Sequence, residues 1–181
     1  MRHEVIKGRK NTRSYRVLEK WMRETATLLQ GFEYYTDGYR PFDELEVPGT
    51  SVLVASAAAA GYLPIAEYAI RKINKSNRRT RRDGRADLWF VAGEQSFSFE
   101  TKRAWDVSSK AQLSRCMKAA MDDASEIPSD ESNYAFGVVI SPVIDLASVD
   151  AYSDFDDCDY SFSIGNEKSP HVFFYFKKIV R

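Results

Sequence analysis

Residues 84–106 read GRADLWFVAGEQSFSFETKRAWD. Two β-rich runs, ADLWFV and SFSFETK, flank a short segment around Gly93 and Glu94, and this spacing predicts a hairpin. With the turn centred on those two residues, 92 pairs with 95, 90 with 97, 88 with 99 and 87 with 100. A glycine in the first of two loop positions suits a type II′ turn, and a four-residue loop over 92–95 keeps the same register. Leu88 and Phe90 then share one buried face with Phe99 and Phe97. A one-residue slip would move all four to the opposite face, so the apolar pattern resists it.

The register has a chemical consequence. Side chains alternate along a strand, so Glu100 and Lys102 share a face, and Asp87 lies directly across from Glu100. Two opposed carboxylates repel each other across a strand pair. A divalent cation held between their oxygens would offset that repulsion, and Mg²⁺ or Mn²⁺ suits carboxylate and water ligands. The competing reading is a surface salt-bridge cluster in which Lys102 and a nearby Arg neutralise two solvated acids.

Around the hairpin, the 181 residues with 44% hydrophobic composition can bury a sizeable core, and a single domain over 1–181 is expected. Residues 14–30 carry Val17, Leu18, Trp21, Met22, Leu28 and Leu29 at the spacing of a packing helix. Thr50 is placed to cap a short apolar helix ending at Gly61, and Pro64 to open a second, PIAEYAIRKINKSN, with Ile65, Ala69, Ile70 and Ile73 as its stripe. After the hairpin, Ser109 begins a helix with Leu113, Cys116, Met117, Ala120, Met121 and Ala124 on one side. YAFGVVIS reads as a buried strand, and YSFSI and HVFFYF as an aromatic hairpin. The order suits an α/β fold, an α+β sandwich with a central mixed β-sheet flanked by helices.

Charge is segregated although it sums to zero. Residues 71–85 carry eight Arg or Lys and one acid, Asp83, whereas 121–160 carry eleven acids and no Lys or Arg. The Arg-rich loop enters the strand of Asp87, so Arg78, Arg79, Arg81, Arg82 and Arg85 are candidate contacts to nucleic-acid phosphates, against the usual reading of a solvated charge run. The acidic segment DFDDCDY lacks the Gly and terminal Glu of a calcium loop and reads as solvated, or as a dock for a basic surface such as the Arg-rich loop of a second copy in a homodimer.

The N-terminal stretch MRHEVIKGRKNTRSYR is basic with no apolar run behind it, which argues against a signal peptide and suggests a solvated arm. SVLVASAAAAGYLPIA falls short of a bilayer span. Cys116 and Cys158 stand far apart and suggest neither a disulfide framework nor a zinc cluster but reduced thiols in a cytoplasmic protein; separately, no small-molecule cofactor and no membrane partner are expected. His3 and His171 lie too far from the hairpin in sequence to recruit.

An Asp on one strand, then Glu, any residue and Lys on the next, followed by a helix and a strand, resembles the PD-(D/E)xK nuclease superfamily. The match is RAD ending at Asp87, twelve intervening residues, and ETK at 100–102. It extends over about half the chain, as a restriction-endonuclease-like core of about 62–141. Residues 1–61 then form an N-terminal helical elaboration and 142–181 a C-terminal hairpin extension. Ala86 stands where the name-giving proline would be.

The resemblance implies Asp87 and Glu100 as ligands of Mg or Mn, Lys102 orienting the attacking water, and DNA as the substrate. It also offers Glu67, on the helix before the hairpin, as a third ligand. That residue's own reading is an i to i+4 pair with Arg71. Gln112 resembles a RecB-like nuclease position, but Ser109 and Gln112 have capping-box spacing, and Cys116 replaces the Tyr of those enzymes. Two functions follow: a metal-dependent nuclease, or a non-catalytic member of the same fold that binds nucleic acid or protein.

Overall fold

The computed structural model describes residues 1–43, 46–77, 79–105, 110–143, 152, 155–166 and 169–180. Ten elements run in the order β1 (Arg2–Lys7), α1 (Arg13–Tyr35), α2 (Glu46–Ala59), β2 (Leu63–Ile73), β3 (Arg81–Ala92), β4 (Gln95–Arg103), α3 (Lys110–Ala124), β5 (Tyr134–Pro142), β6 (Tyr160–Asn166) and β7 (Ser169–Lys178). The seven strands form one sheet in the order β1-β6-β7-β5-β4-β3-β2. Every neighbouring pair is antiparallel except β4 and β5, which run parallel on either side of α3. The fold is therefore α+β with a mixed sheet and helices on both of its faces.

One face packs beneath α1 and α2. Leu88, Phe90, Phe97, Phe99, Phe136, Val138 and Phe176 form a core with Leu18, Trp21, Met22, Val52 and Leu53. Thr12 caps α1, its hydroxyl accepting from Tyr15 N–H at 3.1 Å. Trp21 donates its indole N–H to Leu53 carbonyl and Ser56 Oγ at 3.0 and 2.9 Å, so the buried ring ties α1 to α2 while satisfying its polar atom. Across the sheet, Leu113 and Met117 of α3 pack on Val139, Phe173 and Tyr175.

The hairpin has the anticipated register from Ala92 opposite Gln95 to Leu88 opposite Phe99, but the ladder ends there, and the expected pairing of Asp87 with Glu100 is not formed because Asp87 turns its carboxylate to Thr101 N–H instead. Gly93 has φ +66, the left-handed conformation that a type II′ turn demands of its first loop residue. Helices α1, α2 and α3 and strands β5, β6 and β7 fall close to where periodicity places them. Glu46 already lies in α2, so Thr50 is inside that helix rather than its cap.

Two segments differ. The basic N-terminal stretch is not a free arm, because Arg2–Lys7 forms an edge strand paired with β6. Residues 64–77 are not a helix: Leu63–Ile73 is a strand pairing along its length with β3, from Leu63 opposite Val91 to Ile73 opposite Arg81. Ten cross-strand neighbours outweigh a helical propensity that is weak in any case.

That strand pair changes face part of the way along. Leu88 packs beneath α1, but Ala86, two residues earlier, joins Ile70, Ile127 and Ala135 in a separate cluster. Residues two apart on a regular strand share a face. The irregular position is Asp87, and opposite it Glu67 has φ +52, a left-handed conformation unusual for a residue with a side chain. Beyond it, Tyr68 stacks on Trp89 with ring centroids 4.7 Å apart.

Candidate metal and phosphodiester site

The face change places Asp87 at the point where the β3–β4 ladder ends. Its Oδ2 accepts from Thr101 backbone N–H at 2.7 Å and from Thr101 Oγ1 at 2.9 Å. The carboxylate thus takes over a donor that the ladder would otherwise have paired. This fixes Asp87 beside the strand that carries Glu100 and Lys102.

Glu100 is 3% exposed. It pairs with Gly137 of β5, and that glycine is required by packing: a Cβ there would lie 2.8 Å from Met121 N and 2.9 Å from Ala120 C. The backbone of α3 therefore lies directly on the sheet beside Glu100. Burial, and then the charge of Asp87, push the Glu100 carboxyl up to about 7, with partial relief from Lys72.

Lys72 was not anticipated as part of the site. Its Nζ lies 2.7 Å from Glu100 Oε1, and both side chains are nearly excluded from solvent. Lys72 sits on β2, two strands away, so its stem must cross β3. It does so over Gly84, where a Cβ would approach Lys72 Cδ and Cγ to 3.0 and 3.1 Å. The contact is a short pair of opposite charges, and Lys72 both bonds to the Glu100 carboxylate and acts on it through its charge.

Lys102 lies on the same face as Glu100, with its Nζ 2.8 Å from Asp123 Oδ2 of α3. Burial works against its charge, but the hydrogen bond it donates to Asp123 and the fields of Asp123, Asp87 and Glu100 hold its ammonium above the ordinary lysine value. Asp123 also receives Lys75 at 3.3 Å, and its two lysines outweigh burial to keep its carboxyl below the usual range. Glu126, buried just after α3, holds Lys75 at 2.7 Å and Arg82 at 2.5 Å.

Glu100 and Lys102 are thus brought together on the α3 side, and Asp87, held by Thr101 at the end of the ladder, lies near enough for its charge to act on both. Glu67 is not with them. It is exposed on β2, pairs with Arg85 at 3.2 Å, and lines a largely apolar groove of about 600 Å³ with Val47, Thr50 and Val54 of α2, on the opposite face. The left-handed backbone at Glu67 turns it away, so neither the ligand role nor the helical pair with Arg71 holds.

The Arg-rich segment is also differently engaged. Arg81 pairs with Asp130 at 2.9 Å, Arg82 with Glu126 and Arg85 with Glu67, so three of the candidate phosphate contacts are already ion-paired within the chain. Arg79 is in the turn between β2 and β3, where its N–H donates to Asn77 Oδ1, and Arg78 lies outside the described residues. Gln112 donates to Trp105 carbonyl at 3.1 Å, while Ser109, the other half of the expected capping box, is outside the described residues. In the acidic segment, Asp156 and Asp157 meet Lys7 and Lys177. His3 stacks on Phe162 far along the sheet.

Two carboxylates fit the needs of Mg²⁺, which commonly takes one or two from the protein and completes its shell with water and substrate phosphate. Among the described residues no group of three His, Cys, Asp or Glu side chains converges as a metal cage. The buried Glu100 Oε1, with an ammonium standing 2.7 Å away, marks a position where a cation is stabilised. No helix among the described residues is long and apolar enough to cross a membrane. No family model matches the chain, and searches of characterised proteins and of solved structures find no significant match.

Proposed function

We propose that the protein is a metal-dependent nuclease that hydrolyses phosphodiester bonds in DNA, with Asp87, Glu100 and Lys102 as its working residues and a PD-(D/E)xK, restriction-endonuclease-like core. The observation that carries this reading is the proximity of two carboxylates and a lysine from adjacent strands, with Glu100 and Lys102 on one face and the charge of Asp87 acting on both. One of those carboxylates is almost fully buried yet held next to a cation. A fold needing only a stable hairpin would gain by replacing such a pair with apolar residues. The strand–helix–strand unit from β4 through α3 to the parallel β5 supports the same reading.

Asp87 and Glu100 would hold Mg²⁺ or Mn²⁺. When bound, the ion supplies positive charge to the scissile phosphate and to the attacking water. Asp87 is oriented for this by the Thr101 N–H and hydroxyl. Glu100 is oriented by the close approach of α3 over Gly137. Lys102, held by Asp123, positions the water and shields its developing negative charge.

A non-catalytic binding member of the same fold is the second reading, favoured by the internal partners that already engage Glu100 and Lys102. The two part in a cleavage assay on supercoiled, linear, branched and single-stranded DNA with Mg²⁺ or Mn²⁺. Wild type should cleave at least one substrate, and Asp87→Ala and Lys102→Ala should not. No cleavage by wild type, together with no metal binding by calorimetry, would eliminate the enzyme.

A further inference from the structure

We infer that Lys72 is a resident counter-ion of the metal site, whose ammonium occupies the cation position at Glu100 in the metal-free protein and is exchanged for the divalent ion on loading. The inference rests on the nuclease reading and deepens it, because it says what the site holds before metal arrives.

Two observations carry it independently. The first is the contact itself: Lys72 Nζ stands 2.7 Å from Glu100 Oε1, with both side chains nearly excluded from solvent, so the ammonium fills the cation position at that oxygen. The second is the path of the side chain. Lys72 reaches Glu100 only by crossing the intervening strand, and it crosses at Gly84, where a methyl group would press on its stem. The chain leaves the surface of β3 bare where the lysine passes.

An ammonium and a divalent ion cannot both sit at hydrogen-bond distance from the same oxygen without strong repulsion in a buried place. Loading therefore requires Lys72 to withdraw. The other cations of this face are already occupied elsewhere: Lys102 by Asp123, Lys75 by Asp123 and Glu126, and Arg82 by Glu126. Lys72 alone among them competes directly for Glu100.

The test is Mn²⁺ binding, by calorimetry and by the electron-spin signal of free Mn²⁺, in wild type, Lys72→Met and Gly84→Ala, with folding checked by circular dichroism. Lys72→Met removes the competing charge and should tighten Mn²⁺ by about tenfold or more. Gly84→Ala keeps the lysine but crowds its stem, and should tighten binding in the same direction. If Lys72→Met unfolds, the alanine variant carries the comparison by itself. Wild type that binds Mn²⁺ while both folded variants bind equally or more weakly would overturn the counter-ion role and leave the nuclease reading standing. No Mn²⁺ binding by any of the three proteins would overturn both.

Discussion

Substituting Glu100 by Gln isolates the cost of keeping a carboxylate in this place. The folded protein holds the Glu100 carboxyl at about 7, against 4.5 for a free side chain. Between those values the folded state binds a proton that the unfolded state has released. Stability from this group is therefore present below pH 4.5 and lost as pH rises through 7. Over pH 5 to pH 8 the loss integrates to about 2–3 kcal/mol. Gln is nearly isosteric and does not titrate. The difference in unfolding free energy between Glu100→Gln and wild type, measured by urea denaturation in EDTA, should therefore shift by that amount in favour of the variant from pH 5 to pH 8. Added Mn²⁺ should erase the shift in wild type, because metal stabilises the ionised carboxylate. A difference that stays within about 0.5 kcal/mol across the range would refute the burial argument, since each pKa unit is worth about 1.4 kcal/mol.

Other perturbations test neighbouring steps. Gly137→Ala forces a methyl against the backbone of α3 and should cost about 1–3 kcal/mol by thermal or urea unfolding, because no flexible side chain can give way. Lys102→Ala should leave unfolding nearly unchanged, since the side chain is more than a third exposed, yet lower cleavage by about 100-fold or more. Trp21→Phe removes the indole donor but leaves Leu53 carbonyl its bond from Ser56 Oγ and Ser56 Oγ its bond from Thr25, so the lost hydrogen bonding should cost only about 1 kcal/mol, readable in the same unfolding assay. Glu126→Gln frees Arg82 of its ion pair while Lys75 keeps Asp123, and should strengthen DNA binding while steepening its log–log salt dependence by about one, measured by fluorescence anisotropy.

The hairpin was legible because its two strands pair aromatic with aromatic, so that one register alone buries Leu88, Phe90, Phe97 and Phe99 together. Glu100 and Lys102 follow from that register by counting, whereas Asp87 lies past the end of the ladder and is held by Thr101 instead of standing across from Glu100. Strand β2 was not legible, and the face change explains why. A strand that reverses sides at Glu67 loses its period of two, and the resulting spacing of Ile65, Ala69, Ile70 and Ile73 imitates a helical stripe. Glu67 then looked like a helical acid near the site when it is a strand residue facing α2. Strand β1 is short and lies at an edge, with too few apolar residues to announce itself. Lys72 was hidden for another reason: its burial depends on Gly84 across the hairpin, and no local pattern in a run of eight basic residues distinguishes the one that points inward.

The charges that are separated along the chain are balanced in the fold, and this bears on how the site would load. Around Asp87 and Glu100 lie four acids, with Asp123 and Glu126, and four cations, Lys72, Lys75, Arg82 and Lys102. The cluster is neutral by itself. A divalent ion brings two positive charges into a place with few free oxygens, and among the described residues no three carboxylates converge on one point to offset them, because Asp123 and Glu126 are held by lysines and Arg82. The natural complement is the anionic oxygen of a nucleic-acid phosphate, which can both balance charge and complete the ion's shell. Metal and nucleic acid should therefore bind with positive linkage. By reciprocity, whatever factor DNA adds to metal affinity the metal adds to DNA affinity. Under the proposed nuclease function, the Arg-rich hairpin, engaged with Glu126 and Asp130, should contribute less to DNA affinity than its composition suggests, and the metal site more.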